Sequence, residues 1–576
     1  RRSRRALSFK RTVGLMRSEL RSNRRLTGPN VIWQHPGPVI DIALDDSDAA
    51  QLEEKWKQHI TALLEGMGWS VELASRHFPG GLSLAFNAPM DRLYVACEMN
   101  EWAYESAVAD INGVDAPGMS AAMANFTEEM RSEANPPLLR IQSAAAKRGE
   151  QFLTCDDYVS VGSGVGSQTW SVKDLPEAAS IDWDTILRVP TAMVTGTNGK
   201  TTIVRLLRAM VIASGKVPGM SSTDSLMVGN EILDRGDWSG PGGARTILRD
   251  GRVDVALLET ARGGILRRGV GVLENEADVA LINNVAPDHL GEWGIQDVDM
   301  LADTKFVLRH AGKTIVLNAD DEHCVKRASW VTRPIVWFSL EADNALVAQH
   351  IAQGNEAIRL DSDNVIRYYN GENIEFEISI NDIPMTFDGA AVHNVANSMA
   401  AIAVARKLNI EEAFIAQALK NFKSDAKDNP GRLNIFEING AKVIVDFAHN
   451  PHGLTALSAM VQKMPAKRRL ITIGQAGDRR ESDFHDVAMC AVHSGADRIL
   501  IKEQIKDLRG RELGEVPAIM KKSLLGAGIS EDRIEILGSE MEATIAALDW
   551  AEPGDVLLLL TLSERDDVLN YLSSIA

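Results

Sequence analysis

Cysteine is scarce in this chain. Only four cysteines occur among 576 residues, at positions 97, 155, 324 and 490. Their wide spacing fits neither a disulfide framework nor a CxxC metal site, and such cysteine usage is typical of a reducing compartment. We therefore expect a cytoplasmic protein.

Long apolar runs and an excess of basic charge are also missing. The longest apolar candidate, around residues 556–562, is strand-sized, whereas a membrane-spanning helix needs about 20 apolar residues. No membrane span is therefore predicted. The formal net charge is −18, which argues against general nucleic-acid binding because phosphate neutralisation requires a basic face.

Residues 1–25 are the exception to the acidic balance. They contain ten Lys or Arg residues and one Glu. Such a segment can bind an acidic partner or an anionic membrane surface, or it can be a solvated arm. No apolar segment follows it, so it does not indicate a secretory signal. We predict a basic N-terminal arm over residues 1–25.

The length of the chain predicts roughly three or four domains. From residue 190 onward, apolar strands alternate with helices, which is typical of an α/β protein with a mostly parallel sheet. Residues 343–388 instead favour antiparallel strands, with the hairpin signal Asn370-Gly371. The predicted divisions are an α+β N-terminal accessory domain (26–135), a linker (136–181), a central P-loop ATPase domain with a β insertion (182–428) and a C-terminal Rossmann-like α/β domain (429–576).

The strongest local motif is TGTNGKTT at residues 195–202. It follows an apolar strand and opens an amphipathic helix, so backbone N–H groups and the helix N-terminus can converge on phosphate oxygens. In such a loop Lys200 reaches the β- and γ-phosphates, and Thr201 is a Mg²⁺ ligand. Val194 stands where the longer P-loop pattern has glycine, so the motif is a shorter variant; a glycine-rich turn that caps a helix is the alternative. The predicted ATP-binding residues of this motif are Gly196, Thr197, Asn198, Gly199, Lys200, Thr201 and Thr202.

Two later strands end in groups that suit a metal ion. Residues 255–258 run into Glu259, and residues 281–282 lead towards Asp288-His289. Open α/β sheets bind ligands at the carboxyl ends of their parallel strands. A carboxylate and an imidazole at this edge can complete a Mg²⁺ shell together with phosphate oxygens. A surface acid at a strand end and a helix-capping histidine are the alternatives.

These motifs stand in a fixed order with others further along the chain. The others are LLETARGGILRRG, NNVAPDHLG, the helix with Lys305, HNVAN, NPGRLN, DFAHNPHG and GDRRESD. With this order, over about residues 185–565, the chain resembles the Mur ligase superfamily, and most closely the Mur-ligase-like module of cyanophycin synthetases. The stretches around Ser239-Gly240-Pro241 and Asp507-Leu508-Arg509 favour the cyanophycin synthetases over the peptidoglycan enzymes.

The resemblance implies an ATP-dependent ligase. Such an enzyme joins a carboxylate substrate to an amine, such as an amino acid, through an acyl phosphate, and releases ADP and phosphate. The resemblance also implies two Mg²⁺ sites. The implied catalytic residues are Lys200, Glu259, His289 and Lys305, and the implied metal ligands are Thr201, Glu259, His289 and Lys305.

The resemblance assigns roles to further residues. Lys305 stands where Mur ligases often have a carbamylated lysine; a solvated helix residue is the alternative. Asn394 and Asn397 match the part of the family that contacts adenine, although Asn397 could instead be a polar residue in helix packing. Two other residues, Arg432 and Asp446, match groups that contact phosphate and ribose from across the cleft.

The N-terminal part resembles cyanophycin synthetases more weakly, at LTGPNVIW (residues 26–33). Those enzymes carry an ATP-grasp ligase between N-domain and Mur-like module, and here residues 136–181, with Gly162, Gly164 and Gly166, are at most its remnant. We expect the accessory domain to capture substrate, to mediate a homo-oligomer, or to pack against the central domain. Two rival functions stay open: a non-catalytic nucleotide-binding partner of a polymer-forming synthetase, and an ATPase switch.

Overall fold

The computed structural model describes residues 16–576. The first fifteen residues of the predicted basic arm lie outside this range. Ser18–Leu26 forms strand β1, which pairs antiparallel with β2 (Gly37–Leu44). Arg24 and Arg25 in β1 make ion pairs with Asp41 and Asp156. The prediction of an arm is therefore wrong for residues 18–25, because strand pairing and ion pairs fix them.

Residues 16–133, called the N-terminal unit, form an antiparallel sheet packed against helices. The remaining elements are α1 (Asp46–Gly66), β3 (Leu73–Phe78), β4 (Gly81–Phe86), α2 (Leu93–Asn112) and α3 (Met119–Glu133). The strand order is β1-β2-β4-β3. Trp56 of α1 is fully buried and donates its indole N–H to Asn100 Oδ1 at 2.8 Å, so this polar group is satisfied inside the core. The predicted α+β fold of this part is confirmed.

The segment predicted as a linker is folded. Residues 134–189, called the junction unit, contain α4 (Pro136–Arg148), β5 (Phe152–Thr154), β6 (Tyr158–Val161) and β7 (Gln168–Ser171). Leu138 and Ile141 of α4 share a small core with Val159 and Val161 of β6. The linker prediction for residues 136–181 is wrong, because these apolar side chains bury one another.

Gly164 of the junction unit packs against the central domain. Gly164 has a φ of +55°, and a Cβ there would lie 2.2 Å from the carbonyl oxygen of Val253. Val165 donates its N–H to the same oxygen at 2.9 Å. Glycine at position 164 thus allows the backbone of the junction unit to approach the backbone at Val253 closely. We call this contact the seam.

Residues 190–428, called the central domain, are built on one large sheet. Its elements are β8 (Thr191–Thr195), α5 (Lys200–Ala213), β9 (Pro218–Ser221), β10 (Ser225–Val228), β11 (Glu231–Arg235), α6 (Pro241–Arg249), β12 (Val255–Glu259), α7 (Arg262–Arg268), β13 (Ala277–Ile282), α8 (Val298–Lys305), β14 (Gly312–Asn318), α9 (Glu322–Arg327), β15 (Ile335–Ser339), α10 (Ala345–Ala352), β16 (Glu356–Leu360), β17 (Val365–Asn370), β18 (Asn373–Ser379), α11 (Val392–Lys407) and α12 (Glu412–Asn421).

The strand order of this sheet explains where a site can form. The order is β11-β10-β9-β12-β8-β13-β14-β15-β16-β17-β18. Strands from β9 to β16 are parallel, and both edges are antiparallel. The predicted β insertion therefore extends the main sheet. Because β8, β12 and β13 are neighbours, their carboxyl ends bring three sequence motifs to one edge.

Residues 429–576, called the C-terminal domain, form a second α/β layer structure. Its elements are β19 (Asn434–Ile438), β20 (Ala441–Asp446), α13 (Pro451–Lys463), β21 (Arg469–Ile473), α14 (Glu481–His493), β22 (Arg498–Lys502), α15 (Glu515–Gly526), β23 (Ile534–Leu537), α16 (Glu540–Trp550), β24 (Val556–Leu560) and α17 (Arg565–Ile575). The strand order β19-β20-β24-β21-β22-β23 confirms the predicted α/β class. Within residues 16–576, no helix has both the length and the apolar character that crossing a membrane requires.

The seam at Gly164 yields a stability prediction. Gly164→Ala should lower the free energy of unfolding by about 1–2 kcal/mol for the left-handed backbone, and by about 1–3 kcal/mol more for overpacking against Val253. Gly113→Ala is the matched control, because its φ is +65° but no atom lies within 4 Å of the added Cβ. Urea unfolding followed by circular dichroism measures both; equal losses would contradict the tight seam.

Candidate nucleotide and metal site

The predicted P-loop connects the end of β8 to the start of α5. Lys200 Nζ donates to the carbonyl oxygens of Gly196 and Thr197 at 3.0 and 2.9 Å, which folds the side chain back over the loop. Gly199 has a φ of +87°, and a Cβ there would lie 2.2 Å from Asn397 Oδ1. Glycine is required here for the backbone conformation and for space.

Asparagine side chains fix this loop from beneath. Asn283 Nδ2 and Asn284 Nδ2 both donate to the carbonyl oxygen of Asn198, at 3.0 and 3.1 Å. Asn284 Oδ1 accepts from the N–H of Asn198 at 2.8 Å. Asn283 also donates to Asn397 Oδ1 at 3.3 Å, and Asn397 donates to Asn394 Oδ1 at 3.3 Å. The loop is thereby tied to both β13 and α11.

Glu259, at the end of β12, is 1% exposed and faces the P-loop helix. Thr201 Oγ1 donates to its Oε2 at 2.9 Å, and Thr223 Oγ1 approaches its Oε1 at 3.3 Å. Burial raises the pKa of Glu259, while the nearby Lys200 acts in the opposite direction. A buried carboxylate beside two hydroxyls is a set of oxygen donors that fits a hard divalent cation. Thr223 was not predicted from the sequence.

A second group of ligand atoms lies between the central and C-terminal domains. Asp288, His289 and His449 each offer one atom, and these atoms lie within 4.8 Å of one another. Two imidazoles and a carboxylate fit a divalent metal ion. His289 was predicted as a ligand, whereas Asp288 and His449 were not. The motif DFAHNPHG contained His449, but nothing in its local sequence pattern indicated that it faces Asp288.

Arg479 of the C-terminal domain lies against the same group. Its guanidinium donates to Asp288 Oδ1 at 3.1 Å and to His289 Nε2 at 2.9 Å. Glu292 Oε1 lies 3.1 Å from the other ring nitrogen of His289. Burial lowers the pKa of His289, and Nε2 is the acceptor in the contact with Arg479 because a guanidinium can only donate. The guanidinium of Arg479 thus places a positive charge beside these possible metal ligands.

Lys305, the last residue of α8, is 4% exposed. Burial, and then the charge of Lys200, lower the pKa of Lys305 to about 7. Its amine makes no hydrogen bond or ion pair with any residue from 16 to 576. The alternative of a solvated helix residue is therefore wrong, since a solvated lysine would be exposed.

The other predicted residues lie in both domains: Asn394 and Asn397 on α11 of the central domain, and Arg432 and Asp446 in the C-terminal domain. Asn394 Nδ2 donates to the carbonyl oxygen of Met385 at 2.8 Å, and contact with adenine stays a prediction for Asn394 and Asn397. Asp446, at the end of β20, accepts from the N–H groups of Leu433 and Ala448 at 2.8 and 2.7 Å. The guanidinium of Arg432 lies 4.2 Å from the ring centroid of Phe447.

A cleft of about 1400 Å³ brings all of these residues together. The central domain supplies one wall and the C-terminal domain the other. The predicted residues that line it are Gly196, Thr197, Asn198, Gly199, Lys200, Thr201, Thr202, Glu259, His289, Lys305, Asn394, Asn397, Arg432 and Asp446.

Fold and site together define a P-loop nucleotide-binding protein in which a central α/β domain faces a smaller α/β domain across the cleft. Two family models match this part of the chain: the Mur ligase middle domain over residues 194–405, and the Mur ligase glutamate ligase domain over residues 431–561. The chain belongs to the Mur ligase family.

Individual relatives agree with this assignment. The chain is 32% identical over 463 residues to cyanophycin synthetase of Crocosphaera subtropica, covering 80% of this chain and 51% of that protein. It is 31% identical over 536 residues to cyanophycin synthetase of Geminocystis herdmanii, covering 91% and 57%. The chain thus spans about half the length of these relatives. A crystal structure of bifunctional folylpolyglutamate synthase/dihydrofolate synthase from Yersinia pestis, complexed with AMPPNP and Mn ion, matches with a TM-score of 0.50 and 18% identity, over 79% of this chain and 97% of that one.

Asp224 joins the two walls of the cleft. It accepts from Arg205 of α5 at 2.7 Å and from Arg565 of α17, and it lies 3.6 Å from Arg432. Burial alone would raise the pKa of Asp224, but Arg432, Arg205 and Arg565 outweigh it and lower the pKa to about 2. One carboxylate therefore holds three arginines from two domains, and no sequence motif predicted it.

Asp224→Asn should destabilise the domain interface by about 3–5 kcal/mol, because the guanidinium groups of Arg205 and Arg432 lose the carboxylate with which they pair. Asp566→Asn is the matched control: its carboxylate also pairs with Arg565, at 2.9 Å, but is half exposed, so the loss should stay below about 1 kcal/mol. Differential scanning calorimetry measures both. Similar losses in the two variants would contradict a special role for Asp224.

Proposed function

We propose that this protein is an ATP-dependent ligase that forms an amide bond between a carboxylate substrate and an amine. The observation that carries the proposal is the cleft, in which a P-loop, buried groups that fit divalent cations, and the two lysines Lys200 and Lys305 face one another. Its membership of the Mur ligase family and its likeness to cyanophycin synthetases support the same reaction. The amine substrate is proposed to be an amino acid.

The reaction is proposed to proceed in two steps. The substrate carboxylate attacks the γ-phosphorus of ATP, the bond to the β,γ-bridging oxygen breaks, and an acyl phosphate and ADP result. The amine nitrogen then attacks the acyl carbon, phosphate leaves, and the ammonium proton passes to solvent or to a base. Lys200 would leave its carbonyl partners to neutralise charge on the transferred phosphoryl group.

Divalent cations fit two places in this cleft. Thr201 and Glu259 would hold the first Mg²⁺, and His289, with Asp288 and His449, would hold the second. When bound, Mg²⁺ neutralises charge on phosphate oxygens. We also propose that Lys305 carries a carbamate, because a buried amine without a partner lines the same cleft as His289; the added carboxylate would face the second cation.

The two-domain cleft also suits an unstable intermediate. An acyl phosphate is hydrolysed when water reaches it, so the reaction needs a site from which water is excluded. Arg432 and Asp446 lie on the C-terminal wall, opposite the P-loop. Closure of this domain over bound ATP would bring them to the nucleotide and shield the acyl carbon.

Lys200→Ala should reduce ATP turnover by about 10³-fold or more, because the side chain supplies charge to the transition state. The fold should be retained, since within residues 16–576 the ammonium donates only to carbonyl oxygens of its own loop. Phosphate release in the presence of a carboxylate and an amine measures the change, with Lys326→Ala, an exposed lysine of α9, as the control. ADP release that needs neither substrate would instead support an ATPase switch, and no release at all would support a nucleotide-binding subunit.

Lys305→Ala should be inactive and should regain part of its activity in acetate, because a small carboxylate can take the place of the carbamate. Wild-type activity should fall reversibly when CO₂ and bicarbonate are removed from the buffer. Chloride at equal ionic strength is the control for acetate. Full activity of Lys305→Ala in the absence of acetate would show that the residue is no part of the site.

A further inference from the structure

The loop that carries His289 has an unusual backbone. Residues 283–297 connect β13 to α8, so the loop begins beside the P-loop and leads into the helix that ends at Lys305. Four of its residues have positive φ: His289 (+51°), Gly291 (+94°), Trp293 (+54°) and Gly294 (+71°). Left-handed conformations are unfavourable for histidine and tryptophan, and they persist where surrounding contacts fix them.

Contacts from the central domain fix the first half of this loop. Arg262 Nη1 of α7 donates to the carbonyl oxygen of His289 at 2.9 Å, and its Nη2 donates to Glu292 Oε2 at 2.5 Å. Glu292 in turn lies beside His289 Nδ1. The imidazole is therefore oriented by α7, and α7 itself packs against β1 of the N-terminal unit.

Contacts from the N-terminal unit fix the second half. The guanidinium of Arg24 lies 5.0 Å from the ring centroid of Trp293, while its Nε donates to the carbonyl oxygen of Leu266 at 3.0 Å. Phe78 covers Gly294 so closely that a Cβ there would lie 2.7 Å from its ring. Arg76 Nη2 also donates to the carbonyl oxygen of Gly294, at 3.4 Å.

The N-terminal unit is joined to the same part of the central domain by backbone hydrogen bonds. Thr27 donates its N–H to the carbonyl oxygen of Arg268 at 2.9 Å, and Val270 donates to that of Pro29 at 2.8 Å. Arg245 donates to Thr27 Oγ1 at 2.8 Å. The unit therefore has a fixed base from which Arg24 and Phe78 reach the loop.

We propose that the N-terminal unit positions the His289 loop, with Arg24 and Phe78 as the positioning residues. This inference rests on the proposed function, because the loop matters through its cation ligands. Neither side chain lines the cleft. They act on His289 through Trp293 and Gly294, and the same loop sets the start of the helix that carries Lys305.

The test uses Mn²⁺ as a paramagnetic probe of the 576-residue chain, with a non-hydrolysable ATP analogue present, alongside steady-state kinetics. Arg24→Ala and Phe78→Ala should weaken binding of the second Mn²⁺ and lower kcat by about tenfold or more, as for residues that orient metal ligands. KM for ATP should change little, since the P-loop is untouched. Phe78→Leu should restore most of the loss, because it keeps an apolar cover over Gly294.

Arg25→Ala is the matched control. Arg25 is the next residue of β1 and makes a salt bridge to Asp156 of the junction unit at 2.7 Å. Within residues 16–576 it makes no hydrogen bond or ion pair with the His289 loop. It should leave Mn²⁺ binding at the wild-type level. If Arg25→Ala weakened Mn²⁺ binding equally, the effect would come from a general loosening of the N-terminal unit, and the proposal would be overturned.

A double-mutant cycle tests the contact itself. Gly294→Ala should impair Mn²⁺ binding less in the Phe78→Ala background than in the wild type, because the clash with the ring is gone; additive effects would overturn the proposal. A wild-type protein that binds no second Mn²⁺ refutes the proposed metal site and this inference with it. A wild type that binds it, with Arg24 and Phe78 variants that bind it equally well, refutes this inference alone.

Discussion

Basic side chains that are buried or partly buried are the constraint on which the cleft depends. Lys200 satisfies its ammonium on carbonyl oxygens of its own loop, and Lys305 has no partner among residues 16–576. Asp224 pairs with three arginines. Cations in such surroundings need a counter-charge, because desolvation is costly when it is not compensated. A triphosphate bound as in the proposed function would supply such negative charge.

The same constraint links the C-terminal domain to the cation ligands. Arg479 extends from the start of that domain's α14 to Asp288 and His289. A metal ion at these ligands would compete with the guanidinium, because two positive groups repel each other at such a distance. Cation binding at this proposed site would therefore be coupled to the position of Arg479. The orientation of the C-terminal domain is thus set partly by charge and not by apolar packing alone.

Much of this arrangement could be predicted from local sequence. The P-loop follows a buried strand and opens a helix, and Glu259 ends another buried strand, so short patterns were enough to place both. Asp224 could not be found in this way, since its partner Arg565 lies 341 residues away. The junction unit was missed for a related reason. Its strands are only three or four residues long, and its α-helix, whose buried face is Leu138, Ile141 and Ala145, was not recognised.

The N-terminal motif shows why resemblance alone does not assign a role. LTGPNVIW resembles the opening of the N-domain of cyanophycin synthetases, and the resemblance by itself gives these residues no role. In the structure, Thr27 and Pro29 make backbone hydrogen bonds to residues 268 and 270, and a Cβ on Gly28 would lie 2.6 Å from the carbonyl oxygen of Val270. Glycine is needed for that approach, and proline loses no hydrogen bond because its carbonyl is the acceptor. Thr27, Gly28 and Pro29 therefore suit the close contact of this segment with the central domain. The helix α7 lies beside β1 and also binds the His289 loop through Arg262, so this contact is connected to the site.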